Sequence, residues 1–196
     1  MSISVDISKF HKYNLTDTCV IWNLLSSQRL YGCAIESGVT FYCSFYVIYE
    51  SIHKPRKTWS KAEKELLERL IANRRKNQFQ AYSLDLEDLQ DLEVLEKRKN
   101  LGKGELSSIV LAKKYKQAFM TDDKKARKLA ETILPKERVQ TTPHLLGWLF
   151  YEGYLNDSDH QIIVDEHIKM ERLLSEHFTN IYRHTMQLRL MQYHKG

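Results

Sequence analysis

The sequence predicts an α/β fold with three layers, in which helices cover both faces of a central, mostly parallel sheet, followed by a C-terminal helical extension. Short apolar runs typical of buried strands alternate along the chain with runs of helical periodicity. The length of 196 residues suits one domain with an appended element. The 42% hydrophobic and 28% charged content is that of an ordinary globular protein rather than a disordered one.

The first half of the chain contains strand and helix signals in alternation. Gly38 suits a helix C-cap, and Ser60 and Glu63 form a capping box before an apolar face of helical spacing. A break is expected around Pro55. The predicted elements are a strand at 12–16, helices around 20–25 and at 29–37, a strand at 39–43, a helix at 44–52 and a helix from 61.

The second half continues the alternation and then changes character. The predicted elements are a strand at 79–84, a helix at 86–95, a helix at 105–115 after a glycine break, a strand at 117–121, a helix at 124–133, a strand at 138–141 and a helix at 143–151. We therefore predict a main domain at 10–156, with a basic segment at 54–84 inside it, and a helical extension at 157–196. We expect the extension to pack on the main domain or on a partner chain rather than to contact nucleic acid.

Acidic residues stand where predicted strands and helices meet. Asp17 and Asp123 follow strands, while Glu50 and Glu105 lie on helices expected at the same edge. Functional groups of parallel sheets collect beyond the carboxyl ends of the strands. Carboxylates repel one another, so a fold that gathers them usually holds divalent metal ions. The candidate catalytic and metal-binding residues are Asp17, Glu50, Glu105 and Asp123, with Asp122 as a further metal ligand.

Each acid taken alone also has a structural explanation. Asp17 suits a turn or a helix cap, and Glu105 suits the first turn of a helix. Asp122 and Asp123 could cap the helix that follows them. Glu50 is harder to explain structurally, because a carboxylate beside an apolar helix face needs a partner. The occurrence of all four positions in order favours the metal site.

The charge distribution is compatible with a polyanionic partner. The net charge is +5 and the pI is near 9.0, which permits such a partner without requiring one. A basic stretch covers 54–76, and Lys124, Lys125 and Arg127 directly follow the acidic pair. Basic residues beside carboxylates suit a phosphodiester substrate. The alternative is that these runs are solvated helix faces of alternating sign.

These motifs resemble the PIN-domain family of metal-dependent ribonucleases. The best matches are Gly-x-Gly-Glu at 102–105 and Thr-Asp-Asp-x-x-Ala-Arg at 121–127, with further likeness at 15–18, 49–51 and 141–155. The likeness covers roughly 10–156. One departure is Cys19, since many members have Asn or Ser two residues after the first Asp.

The resemblance implies a function and roles by position. Asp17 would be the first metal ligand, and the Thr-x-Asp pattern of the family selects Asp123 over Asp122. Thr121 would help hold a carboxylate or a water, and Lys124, Lys125 and Arg127 would guide phosphates of the substrate. The implied activity is endoribonuclease cleavage with Mg²⁺ or Mn²⁺. The fitting partners are RNA, an inhibitory protein of the kind that controls toxin or defence nucleases of this family, and a second copy of the chain; no membrane partner is expected.

Two other functions fit parts of the sequence. A PIN-like scaffold could bind RNA or protein without cutting. Arg172-x4-His177 matches the pattern of helical, metal-free HEPN ribonucleases, but Arg189-x4-His194 also matches, so the pattern is attributable to chance. The histidines of this region are expected at exposed positions of amphipathic helices: His160, His167, His177 and His184.

The cysteines and the apolar runs indicate a cytoplasmic protein. Cys19, Cys33 and Cys43 are odd in number and form no Cys-x-x-Cys pair, so a thiolate zinc site is not expected. No run approaches the roughly 20 apolar residues that cross a bilayer, and no secretory signal is visible at the N-terminus.

Overall fold

A five-stranded parallel sheet forms the centre of the molecule. The computed structural model describes residues 6–54, 58–96 and 101–193. The strands are β1 (Tyr13–Thr16), β2 (Thr40–Ser44), β3 (Gln80–Tyr82), β4 (Ala118–Met120) and β5 (Val139–Gln140). Their order is β3-β2-β1-β4-β5, and every neighbouring pair is parallel. The predicted α/β fold is therefore confirmed.

Helices cover both faces of this sheet. They are α1 (Thr18–Ser26), α2 (Gln28–Glu36), α3 (Phe45–Ile48), α4 (Lys61–Arg75), α5 (Leu86–Glu96), α6 (Lys103–Tyr115), α7 (Lys124–Ala130), α8 (Thr142–Tyr151), α9 (Asp157–Lys169) and α10 (Ser175–Tyr193). A π-helical turn (Tyr49–His53) continues α3, and a 3₁₀ turn (Lys136–Arg138) precedes β5.

Alternation along the strands divides the core in two. Successive strand residues point to opposite faces of a sheet. Phe41 of β2 and Met120 of β4 pack in the core beneath α1, α2, α4 and α8. Leu15 of β1 and Phe119 of β4 pack on the other face, against α5, α6 and α7. Because both faces are buried, the position of each strand end is tightly fixed.

The C-terminal helices pack on the main body. A Cβ added to Gly147 of α8 would stand 2.8 Å from Cγ1 of Ile181, so the glycine allows α10 to approach α8 closely. α9 joins α2 through an ion pair in which Nε of Arg29 lies 2.7 Å from Oδ1 of Asp159. No helix in the described residues has both the length and the apolar character needed to cross a membrane.

The structure shifts several predicted boundaries. The helix predicted at 124–133 ends at Ala130, because the backbone N of Thr132 and of Ile133 donate to carbonyls three residues earlier rather than four. The helix predicted from 105 begins at Lys103, because Gly102 is its N-cap and Glu105 its third residue. The predicted capping box of Ser60 and Glu63 is confirmed.

The basic segment 54–84 is part of the body rather than a separate arm. Residues 55–57 lie outside the described part of the chain. The remainder forms α4 and β3, and β3 extends the sheet beside β2. Arg69 of α4 donates from Nη1 to the carbonyl oxygens of Leu25 and Ser26 at the end of α1.

Candidate active site

The predicted acids meet at the carboxyl edge of the sheet. Asp17 directly follows β1, and Thr121 to Asp123 directly follow the neighbouring strand β4. Glu50 lies in the π-helical turn after α3, and Glu105 lies in the first turn of α6. π-helical turns are rare and are frequently found at functional sites.

Asp17 is the most deeply buried of these acids, with 2% of its surface exposed. Its Oδ1 accepts a hydrogen bond from the backbone N of Val20 at 2.8 Å, which caps α1. Its Oδ2 accepts the hydroxyl of Thr121. Burial raises the pKa of Asp17 to about 7, against the opposing effect of these hydrogen bonds, and the charges of Asp122 and Glu105 raise it further.

Asp122 ties three elements together. Its Oδ2 accepts from Nδ2 of Asn23 on α1 at 2.8 Å and from the hydroxyl of Thr142 on α8 at 2.6 Å. Its Oδ1 accepts from the backbone N of Thr142 at 2.9 Å. Burial raises the pKa of this carboxyl group, while the hydrogen bonds oppose the change. Both oxygens of Asp122 are therefore occupied within the protein.

Asp123 combines a structural contact with a position at the site. Its Oδ1 caps α7, accepting from the backbone N of Lys125 at 2.7 Å and of Ala126 at 2.8 Å. Its own backbone N donates to the hydroxyl oxygen of Thr121 at 3.1 Å. The Thr121 hydroxyl thus joins Asp123 to Asp17.

Glu50 and Glu105 approach each other over two glycines. A Cβ added to Gly102 would stand 2.8 Å from Oε2 of Glu105 and 3.6 Å from Oε1 of Glu50. A Cβ added to Gly104 would stand 2.5 Å from Oε2 of Glu50. The hydroxyl of Thr18 donates to that same Glu50 oxygen at 3.1 Å, and the backbone N of Gly102 donates to Oε2 of Glu105. Glycine at both positions leaves the space that the two carboxyl groups occupy.

Electrostatics links the acids into one group. Burial raises the pKa of Glu105, and the negative charges of Glu50 and Asp123 raise it further. The charge of Glu105 in turn raises the pKa of Asp17. Proton uptake or a bound cation would relieve their repulsion.

The predicted substrate-binding residues follow on α7. Lys124 and Lys125 are exposed in its first turn, and Arg127 is partly buried. The charge of Arg127 lowers the pKa of Asp122, so this cation lies near the acids.

The sequence matches a family model described as PIN domain over residues 48–180. The chain belongs to the PIN domain family. The matched range contains Glu50, Glu105 and the Asp122–Asp123 pair, whereas Asp17 precedes it. PIN domains are typically nucleases and use divalent metals. A search of the curated proteins and a search of the solved structures found no match.

The acids of this PIN domain fit a divalent metal in donor type but do not form a closed site. Mg²⁺ and Mn²⁺ prefer carboxylate oxygens, and the glycine-lined space holds two of them. Within residues 6–54, 58–96 and 101–193, no three His, Cys, Asp or Glu side chains are arranged closely enough to hold an ion. Glu50, Glu105 and Asp123 each use one carboxyl oxygen in the hydrogen bonds described above, which leaves acceptor capacity on the other.

Of the described histidines of the C-terminal helices, only His177 is exposed as expected. His177 is exposed and His160 and His184 are partly buried, but the expected exposure of His167 is wrong, since it is completely buried. Its Nδ1 lies 2.6 Å from Oγ of Ser26, and its Nε2 accepts from the backbone N of Leu174. His194 lies outside the described residues.

Several residues of the site were missed in the sequence. Thr18, Asn23 and Thr142 hold the acids, and Arg172 contacts Asn23 from the C-terminal region. Polar residues at the ends of helices have many uses, so no short-range pattern distinguished these from ordinary caps. Their role depends on contacts between distant parts of the chain.

Proposed function

We propose that this PIN domain is a metal-dependent endoribonuclease that hydrolyses RNA phosphodiester bonds. The observation that carries the proposal is the placement of Glu50 and Glu105 over the glycines of 102–105, with Asp17 and Asp123 close enough to interact electrostatically with Glu105. Family membership supports the same conclusion. The residues that would hold Mg²⁺ or Mn²⁺ are Asp17, Glu50, Glu105 and Asp123.

The side chains of the site would have different roles in such a reaction. A divalent ion held by these carboxylates would supply an activated water and would neutralise charge on the phosphate. Thr121 fixes the orientation of Asp17 and the backbone of Asp123. Lys124, Lys125 and Arg127 supply positive charge for the phosphates of the substrate. Asp122 braces the site, because its oxygens already accept hydrogen bonds from Asn23 and Thr142.

The finer assignments come from the family resemblance. We favour RNA over DNA and control by an inhibitory protein, as in toxin or defence nucleases. Such a partner suits a nuclease because unrestrained cleavage would harm the cell that makes it.

A second candidate is a PIN-like scaffold that binds RNA or protein without cutting. The observation that favours it is the lack, within the described residues, of three acids close enough to hold an ion. A cation would need a third acid to move closer to it, whereas a scaffold needs no such movement.

Charge-removing variants of two acids separate these candidates. We expect Asp17→Asn and Asp123→Asn each to lower Mn²⁺-dependent cleavage of single-stranded RNA by about 100-fold or more. Asn still accepts the helix-capping hydrogen bond, so the thermal unfolding midpoint should change little. Asp165→Asn is the matched control, because Asp165 is exposed on α9, away from the acids.

The possible outcomes differ clearly. Undiminished cleavage by both variants would show that Asp17 and Asp123 do not belong to the catalytic site. No cleavage by the unmodified protein with Mn²⁺ would favour the scaffold. Cleavage that persists in EDTA and disappears in His177→Ala would instead support a metal-free helical ribonuclease.

A further inference from the structure

Arg172 brings a positive charge to the carboxylate site from the C-terminal helical region. We propose that this guanidinium binds a backbone phosphate of the nucleic acid beside the acids, so that the turn between α9 and α10 completes the substrate site. The inference rests on the proposed function for its substrate class, single-stranded RNA.

Two contacts place Arg172 next to the acids. Its Nε donates to Oδ1 of Asn23 at 2.9 Å, and Nδ2 of the same Asn23 donates to Asp122. Its Nη2 lies 3.8 Å from Sγ of Cys19, two residues after Asp17. The guanidinium is therefore one side chain away from Asp122 and adjacent to the helix that Asp17 caps.

The charge of Arg172 is not neutralised by these contacts. Asn23 is uncharged, and a cysteine sulfur is only a weak hydrogen-bond acceptor. In the part of the chain that the structure describes, Arg172 forms no ion pair with a carboxylate. A guanidinium has five N–H donors and binds phosphate bidentately, so both its charge and its remaining donors suit an anionic ligand.

The turn that carries Arg172 is held in place on both sides. The backbone N of Arg172 donates to the carbonyl of His167 at 3.2 Å, and the backbone N of Leu174 donates to Nε2 of His167 at 3.0 Å. His167 is itself anchored to Ser26 at the end of α1. Glu171 accepts the hydroxyl of Ser60 at 2.8 Å, which fixes the turn to the start of α4.

This anchoring distinguishes Arg172 from the lysines of α7. Lys124 and Lys125 are exposed, and an exposed lysine loses conformational freedom when it binds. Arg172 is already oriented by Asn23 and by its turn, so less freedom remains to be lost. The departure from the family pattern at Cys19 fits this arrangement, because Sγ of Cys19 contacts the guanidinium of Arg172.

RNA binding at several salt concentrations tests the proposal. Full-length protein is titrated into fluorescein-labelled single-stranded RNA, with Ca²⁺ in place of Mg²⁺, and anisotropy gives the affinity. We expect Arg172→Gln to weaken binding about tenfold and to reduce the slope of log affinity against log salt by about 0.7, the value for one phosphate contact on a single strand. Arg183→Gln is the matched control, because it removes the same charge from an exposed position of α10.

A purely structural role for Arg172 would not change the salt slope. Arg172→Lys keeps the charge and should retain most of the slope of log affinity against log salt. If Arg172→Gln fails to fold, the test uses Arg172→Lys instead. Equal slopes for the unmodified protein and Arg172→Gln, or loss of the slope in Arg172→Lys, would overturn the inference.

The outcomes also separate this inference from the proposed function. If the unmodified protein cleaves RNA but the slope is insensitive to Arg172→Gln, the nuclease proposal stands and the Arg172 inference falls. If it binds RNA with the expected slope change but does not cleave, the reverse holds. If it does not bind RNA at all, both are rejected.

Discussion

The two sides of the acidic site are built differently. On one side, Asp17 and Asp122 use both carboxyl oxygens for hydrogen bonds within the protein. On the other side, Glu50 and Glu105 lie over glycines, and each uses one carboxyl oxygen in a hydrogen bond described above. The first side fixes the positions of β1, β4, α1 and α8 relative to one another. The second side keeps acceptor capacity for a ligand.

The acids at one sheet edge therefore do not all share one role. Asp122 is the neighbour of Asp123 in sequence, but its three hydrogen bonds make it a brace. Glu50 has no such set of donors, and its position depends on the absence of a side chain at Gly104. Substitutions at Asp122 and around Glu50 should therefore affect different measurements, namely the free energy of unfolding and the cleavage of RNA.

The largest expected effect comes from closing the space beneath Glu50. In Gly104→Ala, the new Cβ would stand 2.5 Å from Oε2 and 3.1 Å from Cδ of Glu50, so this flexible side chain must move. A displacement of about 1 Å can cost about 100-fold in rate, and we expect cleavage of RNA to fall by about that factor. The thermal midpoint should hold or rise slightly, since alanine suits a helix better than glycine.

Gly32→Ala is the control for this change. Gly32 also lies within a helix, α2, and a Cβ there meets nothing within 4 Å. Its variant should keep full cleavage with a similar small gain in stability. Equal activity of both alanine variants would contradict a functional role for the space around Gly104.

An effect on stability, rather than on cleavage, is expected at Asp122. Asp122→Ala leaves the amide of Asn23 and the backbone N and hydroxyl of Thr142 without their acceptor, which should lower the free energy of unfolding by about 3 kcal/mol. Asp123→Ala removes only a helix cap and should cost about 1 kcal/mol. Urea denaturation in EDTA measures the free energy of unfolding of both variants, and equal losses would argue against a bracing role for Asp122.

The last expected effect is a pH dependence of stability at His167, which lies against Ser26 at the end of α1. Burial lowers the pKa of His167 to about 4 from its usual 6.5, and the positive charge of Arg172 lowers it further. The unfolded chain takes up this proton first, so the stabilisation is complete above pH 6.5 and is lost as the pH falls towards 4. Between pH 7 and pH 5 the loss should be about 2 kcal/mol.

Urea denaturation at several pH values checks this expectation against a variant. His167→Gln should show a smaller change between pH 7 and pH 5 than the unmodified protein, whereas His177→Gln, altered at an exposed position, should not differ from it. His144 has a similarly lowered pKa, and the raised pKa of Asp17 acts in the opposite direction, but both are present in all three proteins. A slope unchanged by His167→Gln would show that His167 does not carry the effect.

Much of the fold could be predicted because its signals are local. Gly38 adopts the left-handed backbone expected after α2, with a φ of 85°, and Ser60 with Glu63 forms the expected capping box. The errors lie where tertiary packing decides whether a side chain is buried. His167 is expected at the surface of an amphipathic helix, but it is buried.

The order of strands and helices could be predicted from periodicity and capping, which act over a few residues at a time. The family and the candidate acids came from the motifs that the chain shares with PIN domains. Tertiary structure alone decided how the acids are used: Asn23 and Thr142 occupy Asp122, Gly104 makes room for Glu50, and Arg172 reaches Cys19 from 153 residues away. The physical reason is that hydrogen-bond donors and free space come from neighbours that are distant in sequence. Such neighbours produce no periodic pattern in the sequence.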